Sequence, residues 1–243
     1  MRHKAFPWGC RPNAGAGESP RTLTAPVRRD TPCATMDWRG SETSMTTIEA
    51  RSETELLTAA DLLRLDAEGV RGELIRGVLC KTMAAGQRHG KIVVNLVVEL
   101  GNFVRPRGLG TLVASDSGVW LERDPDTVRE PDIAFTSVER LPLGEDVPGY
   151  AEAVPDLVVE VASPTDSRAA VHDKAYMWLG HGVRLVWVVH PAARAVDVYR
   201  PDHTTVTISG GGALDGLDLL PGFSCPLEAV FGPERTTPPA SGG

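Results

Sequence analysis

Asp132, Glu160 and Lys174 have the side-chain types that metal-assisted phosphodiester chemistry needs. Glu160 lies within Val154-Pro-Asp-Leu-Val-Val-Glu-Val-Ala-Ser163, where apolar residues occupy both parities. A strand with that pattern is buried on both faces. An ionised carboxylate buried there without a partner would be costly. So the chain bends and exposes Glu160, a positive group meets it, or it stays protonated. A divalent cation shared with Asp132, with Lys174 nearby, satisfies the second option. Two carboxylates can hold magnesium while several waters remain in its shell. Such an ion polarises a phosphoryl oxygen and acidifies a bound water. An adjacent ammonium can orient that water or stabilise developing negative charge.

Each residue taken singly has a plainer account. In Arg129-Glu-Pro-Asp-Ile-Ala-Phe135, alternation places Ile133 and Phe135 on one face and Asp132 with Ala134 on the other. Pro131 suits a strand start or edge, and Asp132 alone reads as an exposed strand-end acid. Glu160 alone could pair with an arginine or emerge at a bend. Lys174, beside Asp173 and near Tyr176, could be a solvated helical lysine. Their joint occurrence on neighbouring elements carries the argument.

The positioning elements follow from periodicity. Thr58-Ala-Ala-Asp61 opens a helix as a capping-box variant, Leu62, Leu63 and Leu65 form its stripe, and Gly69 suits the position after its end. Gly72 to Ile75 and Val78 to Cys80 flank Arg76-Gly77 as a hairpin. A second helix is expected from Gln87 to Val104, with Ile92, Val93, Leu96, Val97 and Leu100 on one face and Pro106 and Gly108 ending it. One strand is expected over Thr111–Leu121 and another over Val128–Thr136. A loop from about Val138 precedes the Glu160 strand. Ser163 to Ser167 leads into a helix ending near His181-Gly182, which turns Val171, Ala175, Met177, Trp178 and Leu179 toward a core. Val183–Val189, Ala195–Tyr199 and Thr204–Ile208 complete a meander, and Gly210-Gly211-Gly212 is a turn. Helices interleaved with strands indicate an α/β fold bordering on α+β, with one mixed sheet.

Composition sets the outer bounds. The 243 residues are 42% hydrophobic and 23% charged, as in an ordinary soluble domain. No apolar run reaches the ~18 residues of a membrane span, and a cytoplasmic location is expected. The formal net charge of -7 argues against coating nucleic acid by charge alone. Cys10, Cys33, Cys80 and Cys225 have no CxxC pairing, which suggests reduced thiols rather than a zinc ribbon or disulfide framework. Residues 1–52 lack sustained periodicity and are expected to be a disordered extension; Met36 and Met45 are alternative starts. Arg28-Arg29 has no apolar segment behind it, so export is not expected. The folded domain is placed at 53–232, with a loose tail over 233–243.

Other chemistries fail on spacing. Ala85-Gly-Gln-Arg-His-Gly-Lys-Ile92 misses a phosphate loop by one residue, and Ile92 stands where a hydroxyl would hold magnesium. There is no GxSxG elbow and no HExxH pair.

The ordered set Glu73-Leu-Ile-Arg-Gly77, His89, Glu130-Pro131-Asp132, Glu160-Val-Ala-Ser-Pro164, Lys174, Tyr176, Gly182-Val183 and Trp187-Val-Val189 resembles the Uma2 family of the PD-(D/E)XK nuclease-like superfamily. The likeness extends from about Leu57 to Phe231, through Leu220-Pro-Gly-Phe223 and Val230-Phe231. It implies a restriction-endonuclease-like core, a mixed sheet flanked by helices. Pro131-Asp132 would be the PD element and Glu160 the second acid. Ala162 stands where the superfamily usually has its lysine, so Lys174 would reach back from the next helix. The resemblance also implies Glu73 as an accessory acid, with a surface hairpin residue as its alternative. His89 would be a substrate or metal contact, with a hydrogen-bonded or capping histidine as the alternative. Trp178 and Trp187 read as core residues before base-stacking platforms. Arg88 and Lys91 could meet phosphates, although a solvated helix face is simpler. The expected function is a Mg²⁺- (or Mn²⁺-) dependent endonuclease hydrolysing DNA, with a homodimer as one arrangement. The alternative is a catalytically silent nuclease-fold protein that binds nucleic acid or a protein partner.

Overall fold

Capping, turn chemistry and apolar periodicity set most element boundaries. The computed structural model describes residues 56–82, 84–114 and 117–233, all in one compact unit. The 1–52 extension, both alternative starts and the tail from 234 onward lie outside the described residues.

Helix α1 (Ala59–Ala67) begins at a complete capping box, in which Thr58 and Asp61 each accept from the other's backbone N–H. Strands β1 (Gly72–Ile75) and β2 (Val78–Lys81) form a hairpin whose two turn residues, Arg76 and Gly77, have φ of 50° and 78°. Positive φ at both central positions matches the twist of the flanking strands. Helix α2 (Gln87–Val104) buries Ile92, Val93, Leu96, Leu100 and Val104, then tightens into a 3-10 turn at Arg105–Arg107. Next come β3 (Gly110–Ala114), β4 (Val119–Glu122), β5 (Thr127–Arg129), β6 (Ile133–Ser137) and β7 (Leu157–Val161). Helix α3 (Arg168–Gly180) is capped by the Ser167 hydroxyl, which accepts from Ala170 N–H. Strands β8 (Leu185–His190), β9 (Ala195–Tyr199), β10 (Thr205–Ile208), β11 (Ala213–Gly216) and β12 (Leu220–Pro226) follow, then α4 (Leu227–Phe231).

The principal sheet has the order β10-β9-β8-β7-β6-β3, with β7 and β8 parallel and the other pairs antiparallel. Its α2 and α4 face packs Ile133, Phe135, Val159, Leu185 and Trp187. Its α3 face packs Val158, Val186, Val188 and Trp178. A second, antiparallel sheet of order β2-β1-β5-β4 packs Leu74 and Val128 beneath α1. The fold is α+β, with one mixed and two antiparallel sheets among the described residues, flanked by helices.

Two expected strands are each divided in the structure. Thr111–Leu121 becomes β3 and β4, and Val128–Thr136 becomes β5 and β6; in each case the halves enter different sheets. Gly118 lies at the first crossing, where a Cβ would collide with the Tyr150 ring. At the second, Pro131 has no N–H to continue a ladder, and Asp132 adopts a bend. Apolar patterning reports burial but not the change of sheet. The β11–β12 hairpin and α4 also escaped the periodicity reading. Cys225 is a free, buried thiol, whereas Cys80 is disulfide-bonded, a correction to the expected reduced state.

Candidate active site

The break between β5 and β6 creates the site. With Pro131 ending the ladder, the Asp132 side chain takes the partner role the backbone gives up: its Oδ2 accepts from Val161 N–H at 2.7 Å. Its Oδ1 meets His89 Nε2, from the first turn of α2, at 2.9 Å. The β6–β7 register pairs Ile133 with Val159, so Asp132 sits at the strand end beside Glu160. Both carboxylates therefore lie where the two sheets exchange strands.

Glu160 projects to the α3 face between buried Val159 and Val161, and the residue is 8% exposed. Lys174 Nζ donates to its Oε2 at 2.8 Å and the Trp178 indole N–H to its Oε1 at 2.7 Å. Both donors come from one face of α3, four residues apart, as helical spacing requires. Glu73, on β1, is buried as well, which replaces the surface-hairpin alternative. Its Oε1 accepts from Glu130 N–H at 2.9 Å and lies 3.2 Å from Arg129 Nε and 3.8 Å from Lys174 Nζ. The structure thus gathers Asp132, Glu160, Lys174, Glu73 and His89 into one charged cluster. Arg88 and Lys91 are exposed on α2.

The titration directions follow from this packing. Burial pushes the Glu160 carboxyl up to about 7; Lys174 opposes that rise, while Asp132 and Glu73 add to it. Burial works against the Lys174 ammonium too, but Glu160 and Glu73 outweigh it and hold its pKa above the ordinary lysine value. Glu73, held ionised 3.8 Å from Lys174 Nζ, keeps an anion beside the buried ammonium, so Lys174 is the fixed charge and Glu160 the marginal one. For Glu73, burial opposes ionisation, yet Lys174, Arg129 and the Glu130 N–H together keep its pKa low. The hydrogen bond to Asp132 raises the His89 pKa.

Sequence reasoning passed over Arg129 and the polar role of Trp178. Arg129 has a 5% exposed side chain against Glu73. The hint was its place beside Val128 in a buried strand. Trp178 is fully buried, as expected of a core residue, but its N–H also holds Glu160. A cavity of ≈ 420 Å³ lies between α1, β3 and the 141–153 loop; it reaches Glu130 but none of Asp132, Glu160 or Lys174. Its lining carries Asp66, Glu130 and Glu145 but no lysine.

Among the described residues no group of three or more His, Cys, Asp or Glu side chains is arranged to hold a metal ion. A closed protein cage is therefore not what the residues offer. A hydrated magnesium needs only one or two carboxylates, and the charge balance suits it. Asp132, Glu160 and Glu73 supply three acidic groups against the two permanent cations Lys174 and Arg129. Burial is the main cause of the raised Glu160 pKa, and the neighbouring Asp132 and Glu73 add to it. Asp132 and Glu160 fit such an ion.

The two acids stand at the ends of β6 and β7 in the mixed sheet, with the lysine facing them from α3, and the fold is nuclease-like. A crystal structure described as a "putative nuclease belonging to DUF820" from Anabaena variabilis aligns with a TM-score of 0.62 at 20% sequence identity, over 72% of this chain and 97% of the other. Residues 59–228 match the Uma2 family model, described as "Putative restriction endonuclease", and the chain belongs to that family. No curated protein matches the chain. No helix among the described residues is long and apolar enough to cross a membrane.

Proposed function

We propose that the protein is an endonuclease that hydrolyses DNA phosphodiester bonds with Mg²⁺ (or Mn²⁺). The observation supporting this most directly is that Asp132, just before β6, accepts from Val161 N–H and so lies beside Glu160 of β7, which already carries the Lys174 ammonium. Asp132 and Glu160 would hold the ion, which supplies Lewis acidity toward the phosphoryl oxygen and a more acidic water. Lys174 orients the attacking water and offsets charge that accumulates on the phosphoryl oxygens. Trp178 fixes the Glu160 rotamer, and Arg129 with Glu73 fixes the lysine's other side. His89 keeps Asp132 turned toward the junction and is placed to touch substrate. Incubating supercoiled plasmid with the protein and Mg²⁺ tests the reading: nicking should appear, stop with chelator, and fall at least ~100-fold in Asp132→Ala, Glu160→Ala and Lys174→Ala. Nicking that survives all three changes would place the activity elsewhere.

One observation favours a second reading, a catalytically silent nuclease-fold protein that binds nucleic acid or a protein partner. Each carboxylate oxygen of Asp132 and Glu160 already has a partner within the protein, so protein donors alone accommodate both acids. The plasmid assay separates the readings, because the silent protein leaves supercoiled DNA uncut with Mg²⁺ or Mn²⁺ present.

A further inference from the structure

The α3 face of the principal sheet carries a second imidazole–carboxylate pair beyond the cluster described above. His190 ends β8, and its Nε2 lies 2.9 Å from Asp197 Oδ2 on β9. Asp197 Oδ1 accepts from the Thr207 hydroxyl of β10 at 2.6 Å. The side chains of His190 and Asp197 are 26% and 22% exposed. Of the two ring nitrogens of His190, only Nε2 has a hydrogen-bond partner among the described residues, which leaves Nδ1 for an outside group.

Register brings this pair to the candidate active site. Glu160 pairs with Val188 across the parallel β7–β8 ladder, and Val188 pairs with Asp197 across β8–β9. Along β8, Trp187 and Val189 face α2, so Val188 and His190 face α3, the side onto which Glu160 projects. Thus Asp132, Glu160 and His190 stand at the ends of three successive strands, β6, β7 and β8. A cross-strand staple would account for the Asp197–Thr207 contact alone. It does not require a partly exposed imidazole with an open nitrogen at the strand end.

The geometry points to His190 as the proton donor to the departing sugar oxygen, with Asp197 as its positioning residue; this rests on the nuclease reading above. Asp197 accepts from Nε2–H, so the doubly protonated ring gives up its Nδ1 proton and returns to the neutral Nε2–H tautomer. Water oxygen bonds to phosphorus, and the phosphorus–sugar oxygen bond breaks with its electron pair on the departing oxygen. That oxygen takes the proton from His190 Nδ1. The attacking water gives its proton to solvent, and solvent reprotonates His190. The products are a phosphate monoester and a free hydroxyl.

The test compares ordinary DNA with oligonucleotides in which sulfur replaces the 3′ or the 5′ bridging oxygen, since a thiolate leaves without a proton. His190→Ala should lose roughly 10²–10⁴-fold on ordinary DNA yet cut the matching sulfur-bridged strand within a few-fold of the parent protein. Retained cutting also shows that the variant is folded; His190→Gln, which can keep the bond to Asp197, should give the same pattern. Asp197→Asn should shift the ¹⁵N resonances of the His190 ring away from the Nε2–H tautomer and lose less activity. Equal cutting of ordinary DNA by His190→Ala, or a loss that sulfur does not restore, overturns the assignment while leaving the nuclease reading intact. A parent protein that cuts neither substrate removes both.

Discussion

Strand β7 has a buried acid at each end, and the two are held in opposite ways. Asp156, just before its first residue, is 1% exposed; it accepts from Ser137 N–H at 2.9 Å and pairs with Arg140 Nε at 3.1 Å and Arg184 Nη1 at 3.8 Å. Arg140 then donates to the carbonyls of Val154 and Gly182, tying the strand to its flanking loops. Each of these three partners of Asp156 is a donor or a cation. Glu160 has one cation and one indole N–H, with Asp132 and Glu73 adding negative charge around it. Burial of a carboxylate therefore does not mark function by itself. An unbalanced charge beside a strand-end break does.

The sharpest break in that comparison is activity. Glu160→Gln keeps shape and should lower nicking at least ~100-fold, whereas Asp156→Asn should leave the nicking rate per folded molecule within a few-fold. Stability should reverse the order. Asp156→Asn removes the anion that two arginines share, costing about 3 kcal/mol and lowering the melting temperature by roughly 6–12 °C for a domain of this size. Thermal melts of both variants at one pH check this.

The acidity of Glu160 sharpens the contrast further. Folded Glu160 titrates near 7 against an ordinary 4.5, so the folded state holds this proton more tightly than the unfolded chain. Its contribution to stability is fully present below about 4.5 and is lost as pH rises to about 7. The parent protein should thus lose stability relative to Glu160→Gln across that window, by on the order of 3 kcal/mol. Denaturant midpoints at several pH values measure the difference; a pH-independent gap would mean that Glu160 is ionised throughout.

The smallest expected effect belongs to the indole. Trp178→Phe keeps most of the packing but removes the donor to Glu160 Oε1, at about 1–2 kcal/mol in stability, and should weaken Mn²⁺ binding several-fold. Chemical unfolding and calorimetry on the same sample separate the two consequences.

Much of this was legible in the residues because the signals are local. The Thr58–Asp61 box, the Arg76-Gly77 turn and the α2 stripe each fix geometry within a few positions. Glu160 stood out because its apolar neighbours gave a carboxylate no reason to be there. The handover between sheets was not legible, since the apolar positions of Thr111–Leu121 and Val128–Thr136 look alike whichever sheet receives them. Nor was the pairing of Glu73 with Arg129, which depends on β1 lying beside β5. His190 and Asp197 are seven positions apart and meet only through the β8–β9 register.

The proposed nuclease activity requires Asp132 and Glu160 to share one dication. Isothermal titration of Mn²⁺ into the parent protein, Asp132→Asn and Glu160→Gln tests it most directly. One site per chain is expected in the parent and none in either variant, with all three still folded. Binding that persists in either variant, or no binding in the parent, would contradict it.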